Sequence, residues 1–224
     1  MTFSIVGYCE QTGMIGVVIA TSSISVGSRC PWVRTGSGGV VTQNITDPTI
    51  GIDLLDLMES GITVSKAIHI VMNNRPNASY RQVAAIDRAG NTAHYTGSNV
   101  LGINDVQQAH NCIAAGNLLK NRKIPEKMVG KFVGLAGEEL CERLIAAIVA
   151  GVLSGGEVGP VHSAALLVTS EHPWPIVDLR VDWSEQPIDD LVELWTLYKP
   201  QMYDYVTRAI DPSIAPSYGV EGNK

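Results

Sequence analysis

The chain is short of charge. Only 17% of its 224 residues are charged, the formal net charge is -6, and no stripe of Lys and Arg runs anywhere along it. Without such a stripe, and without aromatics interleaved among basic residues, nucleic acid is excluded as an expected partner. It also lacks any CxxC pair: Cys9, Cys30, Cys112 and Cys141 are scattered singly. That spacing argues against a zinc site or a disulfide framework and reads as buried thiols in a reducing cytoplasm. No stretch reaches about 18 uncharged apolar residues, and no basic segment precedes an apolar run at the start. Neither a membrane partner nor secretion is expected, so Asn44-Ile45-Thr46 and Asn77-Ala78-Ser79 are not read as glycosylation acceptors. The five histidines show no HExxH or similar spacing. No metal and no cofactor is therefore expected. Gly36-Ser37-Gly38-Gly39 lacks the Lys-Ser/Thr ending of a phosphate loop and precedes β-branched Val40 and Val41, so it reads as a strand turn.

What is present is apolar surface in short blocks. Hydrophobic residues make up 45% of the chain, enough for the core of one domain, expected over residues 1–210 with an irregular tail at 211–224. Residues 2–8 and the apolar run MIGVVIA at 14–20 predict two strands joined by a turn at Gln11-Thr12-Gly13. A second pair is predicted at 32–35 and 39–43. Asp47-Pro48 then reads as a helix start and Gly61 as its end, Thr63 caps a second helix, and Asn73-Asn74 before Pro76 marks its close. Strands resume at 80–87 and 92–96, a hairpin about Arg88-Ala89-Gly90-Asn91, with another at 111–115. Leu140, Leu144, Ile148 and Val152 repeat at helical spacing within 137–153. Two more strands are predicted at 162–169 and 176–182, and a last helix carries Leu191, Leu194, Trp195 and Tyr198 with a kink at Pro200.

Strands and helices thus come in groups rather than in alternation, which disfavours a doubly wound parallel sheet. Strands apolar on both faces must be covered on both faces. The expected fold is α+β, a four-layer αββα sandwich of two stacked antiparallel sheets with helices outside.

Thr2 stands directly behind Met1. Removal of Met1 by an aminopeptidase that accepts a small second residue would place a hydroxyl and a free α-amine on one residue. That amine, with an ordinary pKa of about 7.7–8.0, lies close enough to act as general base for the hydroxyl. A nearby cation would lower its pKa; Arg34 or Arg29 could supply it, with Arg34 favoured for its place between Val33 and the Gly-rich turn, although either also reads as a surface arginine. Gln43 and Asn44, where a strand hands over to a helix, are candidates on the oxyanion side. Asn117 and Ser163 are candidates for orienting amine or substrate, each also plausible as an ordinary turn or strand residue; His162, between the Gly-rich loop and an apolar strand, is the histidine read as lining a pocket, an exposed loop histidine being the commoner case. The loop Ser154-Gly155-Gly156-Glu157-Val158-Gly159-Pro160 reads as a mobile linker that could also cover a site.

The segments TFSIV, GVVIATSS, SVGSRCPWVRTGSGGVVTQ, SYRQVAAID, YTGS, AAGNLL, HSAALLV and DLRVD together resemble a bacterial family, a domain of unknown function assigned to the N-terminal-nucleophile (Ntn) hydrolase fold. The resemblance spans roughly residues 2–182 and extends distantly to proteasome β-subunits. It implies the αββα sandwich, Thr2 in the place of the nucleophile and Arg34 as the nearest match to the tuning lysine. The place of the proteasomal aspartate falls at Thr21-Ser22-Ser23, which offers no carboxylate and makes Ser22 and Ser23 substrate-side candidates. His162 stands where a glutamine is expected, and residues 100–110 depart from the family's pattern. The expected function is hydrolysis of a small amide or ureido bond by Thr2; the alternative is a non-catalytic ligand-binding or assembly protein on the same scaffold. A small-molecule substrate or ligand is the expected partner, and a homodimer through the apolar helices and Trp195 is the expected assembly, these residues reading equally as core.

Overall fold

The computed structural model describes residues 2–73 and 75–220. Met1, on whose removal the Thr2 chemistry depends, Asn74 of the expected helix end, and the last four residues of the tail lie outside them.

Among the described residues, ten strands form two antiparallel sheets. β1 (Thr2–Tyr8), β2 (Ile15–Thr21), β7 (Asp105–Ala109), β8 (Cys112–Asn117), β9 (Ser163–Thr169) and β10 (Pro175–Val181) form a six-stranded sheet in the order β10-β9-β2-β1-β8-β7. β3 (Pro31–Arg34), β4 (Gly38–Asn44), β5 (Arg81–Asp87) and β6 (Thr92–Thr96) form a four-stranded sheet in chain order. The helices are α1 (Thr49–Glu59), α2 (Val64–Asn73), α3 (Ile124–Gly134), α4 (Leu140–Leu153), α5 (Pro187–Tyr198) and α6 (Met202–Ile210). Asp47 sets the start of α1, its carboxylate accepting from the Thr49 N–H at 3.1 Å. Beyond the expected elements are β7 and α3, and Pro200 sits in a 3-10 turn that divides α5 from α6.

The strand pattern sorts the core into three clusters. Phe3, Ile5, Val18, Cys112, Ala114 and Leu166 look outward from the large sheet onto Met128, Phe132, Leu144, Ile148 and Leu191 of α3, α4 and α5. Val6, Val17, Ile19, Ile113 and Ala165 look the other way, onto Val41, Ala84 and Ile86 of the small sheet. The far face of the small sheet, through Val40, Val83 and Ala85, packs on Ile50, Leu54, Val64 and Ile68 of α1 and α2. With side chains alternating along a strand, Thr2 and Ser4 share the face of Val6 and so look into the space between the sheets. All seven residues of β2 are buried, because both faces of its sheet are covered. Trp195 is 3% exposed and belongs to the helix-side core, with its indole N–H donating to Glu142 at 3.0 Å; its surface is buried within the chain. All four cysteines are free and buried.

The sheets approach closely at Gly39, where an added Cβ would lie 2.8 Å from Val6 and 2.9 Å from Ile15. Gly39→Ala should therefore force the two sheets apart locally and destabilise the fold by about 1–3 kcal/mol, the range for overpacking, measured by denaturant unfolding. An unchanged midpoint would mean that the sheets are not held this tightly.

Candidate functional site

Strand register brings the site together. Thr2 pairs with Thr21 on one side and Asn117 on the other, and Thr21 pairs in turn with Ser163. Ser163, Thr21, Thr2 and Asn117 therefore stand side by side on β9, β2, β1 and β8, at one end of the large sheet and on its inner face. Directly paired residues of antiparallel strands bring their side chains within contact distance, and the Thr2 and Thr21 hydroxyls lie 3.2 Å apart. Thr2 is 5% exposed and the other three 1% or less.

From Thr21 the hydrogen bonds run outward. Its hydroxyl lies 3.3 Å from that of Ser23, and the Arg29 guanidinium donates to the same Ser23 oxygen at 2.8 Å and to the Ser25 carbonyl at 2.8 Å. Ser163 fastens this segment from below, its hydroxyl donating to the Ser23 carbonyl at 2.6 Å and accepting from the Val26 N–H at 3.1 Å. Hydroxyls thus connect Thr2 to a cation near the surface.

Behind Thr2 a second polar group crosses between the sheets. Ser4 donates to the Gln43 side-chain carbonyl at 2.8 Å, and the Gln43 amide donates to Gln82 at 2.8 Å. Asn117 donates to the same Gln82 oxygen at 3.1 Å, and the Gln82 amide donates to the Gly116 carbonyl at 3.1 Å. All four side chains belong to residues with no exposed surface, and the Asn117 Oδ1 has no hydrogen-bond partner among the described residues.

The other expected residues fall elsewhere. Arg34 is held by Asp56 at 2.5 Å and Glu59 at 2.8 Å, both on α1, and pairs with Gly38 at the opposite end of β4 from Gln43. The structure does not bring it to Thr2. Asn44, with φ 72°, staples two loops, its amide donating to the Tyr80 carbonyl at 2.7 Å and its oxygen accepting from the Leu101 N–H at 3.1 Å. His162 joins the site through its backbone, whose N–H donates to the Thr21 carbonyl at 2.9 Å, while its ring stacks on Trp183 at 4.3 Å. Ser22 is half-buried and continues the chain past the end of β2.

One residue at this end was not among the expected ones. Glu157 is 2% exposed and lies in the Gly-rich loop after α4, where Gly155 and Gly156 take φ values of 122° and 60°. It forms an antiparallel bridge with Leu119, flanked by Lys120 N–H donating to the Gly156 carbonyl at 3.1 Å and Val158 N–H donating to that of Leu118 at 2.9 Å. Burial pushes its carboxyl up to about 7, and the charge of the chain's N-terminal ammonium, then Ser22 through its hydroxyl and its N–H, draw it part of the way back. Ser22 is close enough to be felt, yet neither carboxylate oxygen reaches hydrogen-bond geometry with a described residue.

The sign of the resulting pH dependence follows from linkage. The folded carboxyl keeps its proton to about pH 7, whereas an unfolded glutamate releases it near 4.5. Its contribution is whole below about pH 4.5 and is lost as the pH rises through about 7, amounting to roughly 3 kcal/mol at 1.36 kcal/mol per pH unit. Urea unfolding of protein that retains Met1, across that window, should show wild-type stability falling relative to Glu157→Gln, which lacks the titration; parallel curves would contradict the assignment.

Two antiparallel sheets with helices packed on them, and a buried hydroxyl row at the start of the first strand, define a mixed α/β protein with a candidate site at one end of its sheet pair. The chain belongs to the Family of unknown function (DUF1028), which it matches over residues 2–191. The crystal structure of protein SPO2555 from Silicibacter pomeroyi, of the same family, is similar at 30% identity and a TM-score of 0.84, over 91% of this chain and 89% of that one. Far looser likenesses run to Anbu (ancestral beta-subunit) from Yersinia bercovieri, at 10% identity and a TM-score of 0.43 over 90% of this chain and 96% of that one. Anbu from Hyphomicrobium sp. strain MC1 stands at 10% and 0.40, over 91% and 98%. No protein of curated function matches the chain.

Proposed function

We propose that this chain is an Ntn-type hydrolase, a four-layer αββα sandwich that cleaves a small amide or ureido bond through the Thr2 hydroxyl once Met1 has been removed. The observation that carries the reading is where the polar groups lie. The space between the sheets is apolar along most of its length, but at one end Thr2, Ser4, Thr21, Gln43, Gln82, Asn117 and Ser163 are all buried together. Burying polar groups costs stability unless each is hydrogen-bonded, so gathering seven at one end of a mostly apolar interface favours a site over a core.

In this reading the Thr2 Oγ1 attacks the substrate carbonyl carbon and passes its proton to the α-amine of the same residue. The tetrahedral oxyanion collapses to an ester on Oγ1 as the C–N bond breaks, and the leaving nitrogen takes the proton from the α-ammonium. Water then attacks the ester, the α-amine again accepting a proton, and releases the acid and the free hydroxyl. Thr21 orients the nucleophile through its 3.2 Å contact, and Arg29, reached through Ser23 and Thr21, is the cation on this hydrogen-bonded path in place of Arg34.

Mass spectrometry of protein purified from its native host is the first test: the expected first residue is Thr2, and quantitatively retained Met1 would end this mechanism. A screen of small amides and ureides on the processed protein should then find one that is turned over. Ligand binding with equal affinity by wild type and Thr2→Ala, and turnover by neither, would establish the non-catalytic alternative.

A further inference from the structure

Glu157 is buried, and neither of its carboxylate oxygens has a hydrogen-bond partner among the described residues. Its backbone is tied to Leu119, just past the end of β8, through the bridge between the two residues. Its carboxyl is influenced by Ser22, just past the end of β2. β1 lies between β8 and β2, so a side chain that starts at one and reaches toward the other crosses the end of β1 where that strand begins, at Thr2. The loop also packs there: a Cβ built on Gly156 would lie 3.9 Å from the Phe3 ring. The charge of the chain's N-terminal ammonium acts on it, and the other charged groups around it are Lys120, next to Leu119, and Glu185 and Asp189 about the start of α5. They line with Glu157 a cavity of about 470 Å³ under the loop. None of the three forms an ion pair or hydrogen bond with Glu157 among the described residues.

We propose that Glu157 is a positioning residue whose carboxylate receives the α-ammonium of Thr2 in the processed chain, holding that amine beside the Thr2 hydroxyl. This rests on the Ntn reading above. A buried carboxylate is tolerated when paired with a hydrogen-bonding cation, and processing sets the N-terminal cation on Thr2 itself, at the strand end the carboxylate faces. Pairing has a chemical consequence. A carboxylate beside the ammonium favours the charged form, so the amine becomes a stronger base that is free at higher pH, and the acid limb of the pH–rate profile moves upward with it.

The test titrates the amine without needing a substrate. Full-length protein beginning at Thr2 is pulsed with an amine-reactive acetylating reagent across pH 6–10, and modification of the Thr2 peptide is quantified by mass spectrometry in wild type, Glu157→Gln and Glu157→Asp. Wild type should titrate above the ordinary α-amine range of about 7.7–8.0. Glu157→Gln should label roughly tenfold faster at pH 7.5, as expected for an amine whose pKa has dropped by about one pH unit, and Glu157→Asp should keep part of the elevation. A wild-type amine that titrates at or below 8 overturns the proposal even if Glu157→Gln does not fold, as does equal labelling of wild type and a folded Glu157→Gln. Failure to find any hydrolysed substrate would count against the Ntn reading and leave this titration untouched, so the two failures are distinguishable.

Discussion

Thr2→Ala, in protein processed to begin at residue 2, should lose turnover by a factor of about 10⁴–10⁶, the range seen when the nucleophile of a covalent mechanism is removed. The fold should survive. Among the described residues the Thr2 side chain makes one neutral hydrogen-bonding contact, to the Thr21 hydroxyl at 3.2 Å, and its replacement leaves Thr21 still facing Ser23 at 3.3 Å. Losing one neutral hydrogen bond costs about 1 kcal/mol, so the circular dichroism spectrum should be unchanged and the melting point nearly so. Thr2→Ser is the informative companion: it keeps the hydroxyl and drops only the methyl, and should retain measurable turnover. If Thr2→Ala keeps activity within tenfold of wild type while Thr2→Ser behaves the same way, the nucleophile is elsewhere.

The path from Thr2 to a cation shows what was legible in the sequence and what was not. MIGVVIA predicts a strand covered on both faces, and β2 is one. TAHYT at 92–96 predicts the return strand of a hairpin, and β6 has those bounds. β7, DVQQA, escaped because an exposed strand at the sheet's edge carries no apolar run. α3 escaped because Pro125, Gly130 and Gly134 break a pattern that Ile124, Met128, Val129 and Phe132 would otherwise declare. Register was harder still. Thr2, Thr21, Asn117 and Ser163 share a row because β1 pairs with β2 and β8, and β2 with β9, and sequence spacing contains none of that. The same gap explains the arginines. Arg34 looks nearer the site along the chain, but its strand runs away from Gln43 and toward the carboxylates of α1, whereas Arg29 follows a short turn that folds back onto Ser23. Glu157 carried no signal beyond being the one acid within a Gly-rich linker, and only the bridge to Leu119 brings it to the start of β1.

Gln82→Ala should be the most destabilising single change in the polar end of the sheet pair. Gln82 is the hub of that group, accepting from Gln43 and Asn117 and donating to the Gly116 carbonyl, at a residue with no exposed surface. Truncation leaves two buried amide donors and one carbonyl without their partner, each costing about 1–3 kcal/mol when unsatisfied, and opens a void besides. The expected loss is about 4 kcal/mol, or roughly 10 °C in melting temperature for a chain of this size. Ser4→Ala, which removes one donor from the rim of the same group, should cost about 1 kcal/mol. The contrast separates two ways of building a polar site. If the hub variant is no worse than the rim variant, the amides are satisfied individually by water and the group is a wet cavity; if it is several-fold worse, the two sheets are joined there by one cooperative network, which fixes the distance between Ser4 on β1 and Gln43 on β4 and so the width of the space into which Thr2 looks.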